Sequence, residues 1–340
     1  MALWLVRAGS MGEYEEKFIQ ENKVYLTWEV LSADLSKIED EMTLYQMLLE
    51  RYKDTKSATA RNWTGQVWAF VKKMNIGDWI VLPSKKKASI HIAEITGDYV
   101  NVPKNPDPFY HYRTVKWIAK DIPRSNFDQD MLYSFGAFMT ICQVKRNDAE
   151  DRIKAMKNNN WHTSVNIADT GIDQEALENT DFEQLAKDEI AKYIIQNFKG
   201  HGMAKLIESI LKAQGFSTYR SPEGPDQGID ILAAPGLLGF GSPKICVQVK
   251  TGDSQVDRPT LDQLLGTMQN VNAEQGLLVS WSGFKNSVNR EMVNKYFRIR
   301  FWDQKSIIEA IIDNYDKLDE DVRAELPLKR IWTLAKSELL

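Results

Sequence analysis

The sequence predicts a mixed α/β (α+β) chain in two parts: a small N-terminal β-barrel with helices over residues 1–146, then an α/β core over 181–340 whose mixed sheet is flanked by helices. Three observations lead there. A chain of 340 residues with 43% hydrophobic and 26% charged composition is long enough for two separate cores. The first part repeatedly alternates apolar and polar residues with period two, the mark of half-buried strands. The last part runs helix, three strands, helix, strand, with polar residues over 147–180 as a connector between the two.

Residues 3–6 read as a short apolar strand and 23–29 as an alternating one. Leu44, Met47, Leu48 and Tyr52, then Val67, Phe70 and Val71, recur at helical spacing on either side of a break at 55–64. A second β group follows, with strands at 79–82 and 90–95 joined by a turn through Pro83, Ser84 and three lysines, and a further alternating strand at 111–118.

The connector includes the run Asn158, Asn159, Asn160 and a short helix at about 149–156. Helical spacing returns with Phe182, Leu185, Ile190, Ile194 and Ile195, and again after Gly200 in Met203, Leu206, Ile207, Ile210 and Leu211. Gln214 and Gly215 cap that second helix. Strands are expected at 217–220, 229–233, 245–249 and 276–281, with a helix at 259–269 before the last. A late strand at 298–302 and a helix at 305–315 complete the pattern, and no internal repeat is visible.

The net charge of -4 argues against gripping nucleic acid by bulk charge, although a local basic face suffices to meet phosphates. Cys142 and Cys246 stand far apart without a CxxC partner, so a disulfide framework and a zinc knuckle are both excluded. No stretch approaches the roughly 20 apolar residues of a membrane span, and the N-terminus lacks the pattern of an export signal. A cytoplasmic location without membrane contact is expected.

The two strands flanking residues 235–243 are disposed symmetrically. Folded back as a hairpin centred near Gly239, they set Asp230 opposite residues 248–250. Period two then puts Gln248 and Lys250 on one face, expected to be outward, with Val247 and Val249 in the core. Asp and Gln supply the oxygen ligands that Mg²⁺ takes, and a neighbouring Lys orients a water and offsets negative charge, which are the requirements of phosphodiester hydrolysis.

The stretch GPDQGIDILAAPG, followed by ICVQVK, resembles the Mrr-type restriction endonucleases of the PD-(D/E)xK nuclease superfamily. The resemblance extends from GHGMAKLIESILKAQGF to LLVSWSGF, most of residues 200–305. It implies a restriction-endonuclease-like core and a metal site made of Asp230, Gln248 and Lys250. It further implies Mg²⁺, with Mn²⁺ as a substitute, and double-stranded DNA as substrate. The family commonly carries a Glu early in the preceding helix, where this chain has Ala204. Glu208, one turn later on the same face, is the expected replacement ligand. Asp226, in the Gly/Pro loop before Asp230, is either a further ligand or a structural turn acid.

The first part, with its strand at His111-Tyr112-Arg113-Thr114-Val115-Lys116-Trp117, resembles the small barrels of the PUA-like superfamily, including the EVE type. The resemblance implies a reader that holds a flipped, modified base against aromatic rings. Trp28 and Trp63 are its candidate pocket walls, with core packing as the alternative. His111 and Arg113 either contact base or phosphate or form a buried hydrogen-bonded pair. Lys85 and Lys86 either touch phosphate or form a solvated tip. The whole reads as an endonuclease directed at methylated or otherwise modified foreign DNA, expected as a homodimer or higher oligomer because cutting two strands needs two sites. The alternatives are a nucleic-acid-binding module without catalysis, or a nuclease of DNA repair or RNA processing.

Overall fold

Apolar strands punctuated by amphipathic helices build two mixed sheets, each with helices on both faces. The computed structural model describes residues 1–137, 139–163, 181–222, 228–252 and 254–332. The chain divides into two compact units at Asp188 and Glu189.

The first unit contains β1 (Leu3–Val6), α1 (Glu15–Glu21), β2 (Lys23–Leu26), α2 (Glu41–Arg51), α3 (Ser57–Trp68), β3 (Trp79–Pro83) and β4 (Ser89–Ile95). It continues with β5 (Val100–Asn101), β6 (His111–Pro123), α4 (Gln129–Phe135), β7 (Ile141–Gln143) and α5 (Ala149–Asn158). The strands pair in the order β2-β6-β4-β3-β1-β7, with β5 also on β6. Among the described strands of this unit only β1 and β3 run parallel.

Alternation along these strands feeds two different cores. Trp4, Val6, Ile80, Leu82, Ala93 and Ile95 face Phe18, Leu44, Leu48 and Val67 of α1 to α3. Leu3, Leu5, Val81, Ile90 and Ile92 face Met131, Leu132, Phe135, Ile153 and Met156 of α4 and α5. Strands buried on both faces carry continuous apolar runs such as LWLV and WIVLP. The sheet is curled, with helices packed on each side of it. Among the described residues no ladder joins β2 to β7. The short helix expected within the connector is α5, and its Ala149, Ile153 and Met156 belong to the second of these cores. Connector residues 164–180 lie outside the described residues.

The second unit takes in the later part of α6 (Phe182–Asn197), then α7 (His201–Ala213), β8 (Phe216–Arg220), β9 (Ile231–Pro235), β10 (Ile245–Lys250) and α8 (Arg258–Asn270). β11 (Gln275–Ser280), β12 (Ile299–Trp302), α9 (Gln304–Asn314) and α10 (Glu320–Glu325) follow. The sheet order is β12-β11-β10-β9-β8, antiparallel from β8 to β10 and parallel from β10 to β12. One face packs Ile231, Ala233, Val247 and Val279 against Met203, Leu206, Ile207 and Ile210 of α7 and Ile307, Ile308 and Ile311 of α9. The other packs Cys246, Leu278 and Ile299 under Leu261, Leu264 and Met268 of α8. That helix begins at Asp257, whose carboxylate accepts the Thr260 N–H, with Pro259 in its first turn.

His111 is wholly buried in the first unit. Its Nε2 donates to the Leu31 carbonyl at 2.5 Å, and its Nδ1 accepts from the Tyr99 hydroxyl at 2.7 Å. Burial holds its pKa below the ordinary histidine value, so the folded ring stays neutral. A depressed folded pKa gives stability that is present above the unfolded value, about 6.5, and is lost as pH falls below it. Thermal melts of the wild type are therefore expected to lose more stability between pH 7 and pH 5 than those of His111→Gln. Equal losses in the two proteins would contradict this.

Candidate active site

The register of β9 with β10 decides what meets what. Ala233, Leu232 and Ile231 pair with Ile245, Cys246 and Val247, a ladder whose midpoint is Gly239. Carried one step further, this register sets Asp230 against Gln248. The Asp230 N–H donates to the Val247 carbonyl at 3.1 Å, after which the backbone of β9 diverges. The Asp230 carboxylate takes over the ladder: its Oδ2 accepts the Val249 N–H at 2.8 Å. A strand-end acid that caps its neighbour's backbone is thereby held at a defined place and height.

Cys246 reports the same proximity from within the core. Its thiol is pushed up to about 11, first by burial and then by the negative charge of Asp230.

Gln248 and Lys250 share a face, as the alternation predicts, and Val247 and Val249 pack on the opposite side. The face is not outward, however. Gln248 is 0% exposed, because α8 covers that side of β10. Its Nε2 lies 3.4 Å from Oε1 of Gln263 on α8, and its Oε1 has no hydrogen-bond partner among the described residues. A buried amide oxygen without a donor costs about 1–3 kcal/mol. Lys250 ends the strand half-buried, opposite Ser280 of β11, with its carbonyl accepting the Trp281 N–H at 3.0 Å. Among the described residues it makes no ion pair.

Glu208 is engaged by other groups. Its Oε1 accepts from the Thr218 hydroxyl at 2.9 Å and lies 3.6 Å from the Lys212 amine, while its Oε2 pairs with Arg220 at 3.0 Å. These partners lie on β8 and on its own helix, and they occupy both oxygens. Ala204, at the position where the family commonly has an acid, is buried. Asp226 lies outside the described residues.

Most nucleic-acid candidates of the first unit are interior. Trp28 and Trp63 are core residues, and Trp63 packs edge-on against Tyr52 at 5.2 Å. The Arg113 guanidinium donates to the carbonyls of Phe70, Val71 and Gly97, which makes it an internal clamp on the end of the α3 segment. His111 is held as described above. Lys85 pairs with Asp181 at 2.9 Å, whereas Lys86 is exposed at the turn.

Two polar features carried no sequence signal. Gln263 sits among exposed helix positions and looks ordinary in the sequence. Glu15 is buried, with its Oε1 accepting from Ser84 Oγ at 3.0 Å and lying 3.3 Å from His91 Nε2.

Residues 195–311 match a family model described as a restriction endonuclease, which shows the resemblance read from the motif strands for the C-terminal part. Residues 4–143 match a model described as a domain of unknown function, so the PUA-like resemblance of the first part gains no support. No curated protein matches the chain. Solved structures similar to it include a protein of unknown function, AF1548, at 14% identity and TM-score 0.28, covering 37% of this chain and 78% of that one. The DNA modification-dependent restriction endonuclease AspBHI aligns at 13% identity and TM-score 0.34, over 81% of this chain and 74% of that one. The MspJI restriction endonuclease in complex with a 27-mer oligonucleotide aligns at 11% identity and TM-score 0.33, over 96% and 80%.

Gly228, two residues before Asp230, has φ +81°, and a Cβ there would lie 2.8 Å from Gln263 Nε2 and 3.3 Å from Gln248 Nε2. Gly228→Ala combines left-handed strain with that collision. It is expected to lower the stability of the second unit by about 1–2 kcal/mol in urea melts. An unchanged midpoint would show that the position tolerates a side chain.

Proposed function

We propose that the chain is a metal-dependent DNA endonuclease whose second unit hydrolyses phosphodiester bonds at Asp230, Gln248 and Lys250. The observation that carries this is the buried Oε1 of Gln248, without a hydrogen-bond partner among the described residues, on the strand whose Val249 N–H the Asp230 carboxylate accepts. A carboxylate and an amide oxygen suit a hard divalent cation such as Mg²⁺, which accepts few protein ligands and keeps several waters. When bound, such an ion would polarise the phosphoryl group and lower the pKa of a water.

The protein's own groups do the rest. Asp230 and Gln248 are the ligands, held rigid by the Val249 N–H and by α8. Lys250, two residues beyond Gln248 on the same face, orients the attacking water and offsets charge gathering on the phosphate. Burial on the α8 side lowers the local dielectric and strengthens each of these interactions. With Glu208 engaged by Arg220 and Thr218, the protein ligands carry one negative charge from Asp230, and a millimolar rather than micromolar Mg²⁺ requirement is the expected consequence.

The direction toward methylated or otherwise modified DNA rests on the likeness of the second unit to Mrr-type enzymes. The first unit is the proposed reader. Cutting both strands calls for two copies of the chain, since each carries one such site.

A second reading is a DNA-binding protein without catalysis, favoured by the buried Ala204 and by the engagement of Glu208 away from the site. Cleavage assays decide between them. With Mg²⁺, the wild type is expected to cut modified duplex in preference to plain duplex, EDTA to stop cutting, and Lys250→Ala to lose at least about a hundredfold in rate while still binding DNA. Binding without cutting on every duplex, with wild type and Lys250→Ala alike, would establish the second reading.

A further inference from the structure

A glutamine ligand has a difficulty that a glutamate does not: its side chain ends in one acceptor and one donor, and a half-turn about the last bond exchanges them. Only the carbonyl oxygen binds a cation. Something has to choose the orientation.

Among the described residues a single neighbour is in place to do so. Gln248 Nε2 donates to Gln263 Oε1 at 3.4 Å, and because the amide is planar, that contact turns Oε1 to the other side. There Oε1 has no partner among the described residues. The absence of a side chain at Gly228 leaves room for the pair, since a Cβ at 228 would press on the amide nitrogens of both glutamines. Gln263 itself is exposed and lies outside the apolar stripe of Leu261, Leu264 and Met268 that anchors α8, so packing does not account for its reach toward β10.

We propose that Gln263 is a positioning residue that fixes the amide of Gln248, so that its carbonyl oxygen and not its NH₂ is offered as ligand. The proposal rests on the metal-site reading given above. Gln263 touches neither substrate nor the reacting atoms; it acts by holding the amide against rotation, as partners of metal ligands commonly do. An acceptor at position 263 is what the role requires, and charge or size there is secondary.

The test is Mn²⁺ binding to the full chain without DNA, measured by isothermal titration calorimetry, for the wild type, Gln263→Leu, Gln263→Glu and Asp230→Asn. Because residue 263 is exposed, these changes leave the core of α8 intact, which circular dichroism verifies. Gln263→Leu is expected to weaken Mn²⁺ binding by about tenfold or more, while Gln263→Glu, which keeps the acceptor, stays within about threefold of the wild type. Asp230→Asn is expected to abolish binding. If Asp230→Asn abolishes binding but Gln263→Leu leaves it unchanged, or if Gln263→Glu is as weak as Gln263→Leu, the positioning role is overturned and the metal site stands. If Asp230→Asn binds Mn²⁺ like the wild type, the metal-site reading falls, and the role of Gln263 falls with it.

Discussion

The antiparallel ladder between β9 and β10 is the constraint on which the candidate site depends. It is pinned from both faces: Ile231 and Val247 belong to the core under α7 and α9, while Leu232 and Cys246 lie in the core under α8. A slip of one residue would exchange these sets. It would drive the Gln248 amide into the aliphatic layer of Met203 and Ile207 and carry Asp230 away from it. The same register lets the Asp230 carboxylate end the ladder on the Val249 N–H, so one pairing scheme sets the height of all three groups.

Packing then gives the site its electrostatic character. α8 shields one side of β10, and the Gln248 Oε1 beneath it has no hydrogen-bond partner among the described residues. Gly228 is part of the same arrangement, since a Cβ there would lie 2.8 Å from the Gln263 Nε2 and 3.3 Å from the Gln248 Nε2.

Much of this was legible in the sequence. The symmetry about residue 239 set Asp230 opposite residues 248–250, and the period-two pattern set Gln248 and Lys250 on one face, because register depends on local spacing. What covers a strand face does not. The burial of Gln248 depends on where α8 lands, and the alternation of β10 reads alike for a solvated face and for one under a helix. The same blindness affected the first unit, where runs such as LWLV fit a barrel wall and a sheet layered between helices equally well. Glu208 shares a helix face with position 204, as its spacing implied. Distance along α7 nevertheless sets it beside Thr218 and Arg220. Trp28, Trp63, His111 and Arg113 are residue types suited to either recognition or interior structure, and tertiary packing chose the interior.

The central claim is that one hairpin presents a carboxylate and an amide oxygen to a single divalent cation. Anomalous diffraction from crystals soaked in Mn²⁺ tests it most directly. The account predicts one peak about 2.0–2.2 Å from both an Asp230 carboxylate oxygen and Gln248 Oε1, the distance expected for a small octahedral cation held by oxygen. A peak beside Glu208, with none at Asp230, would contradict it.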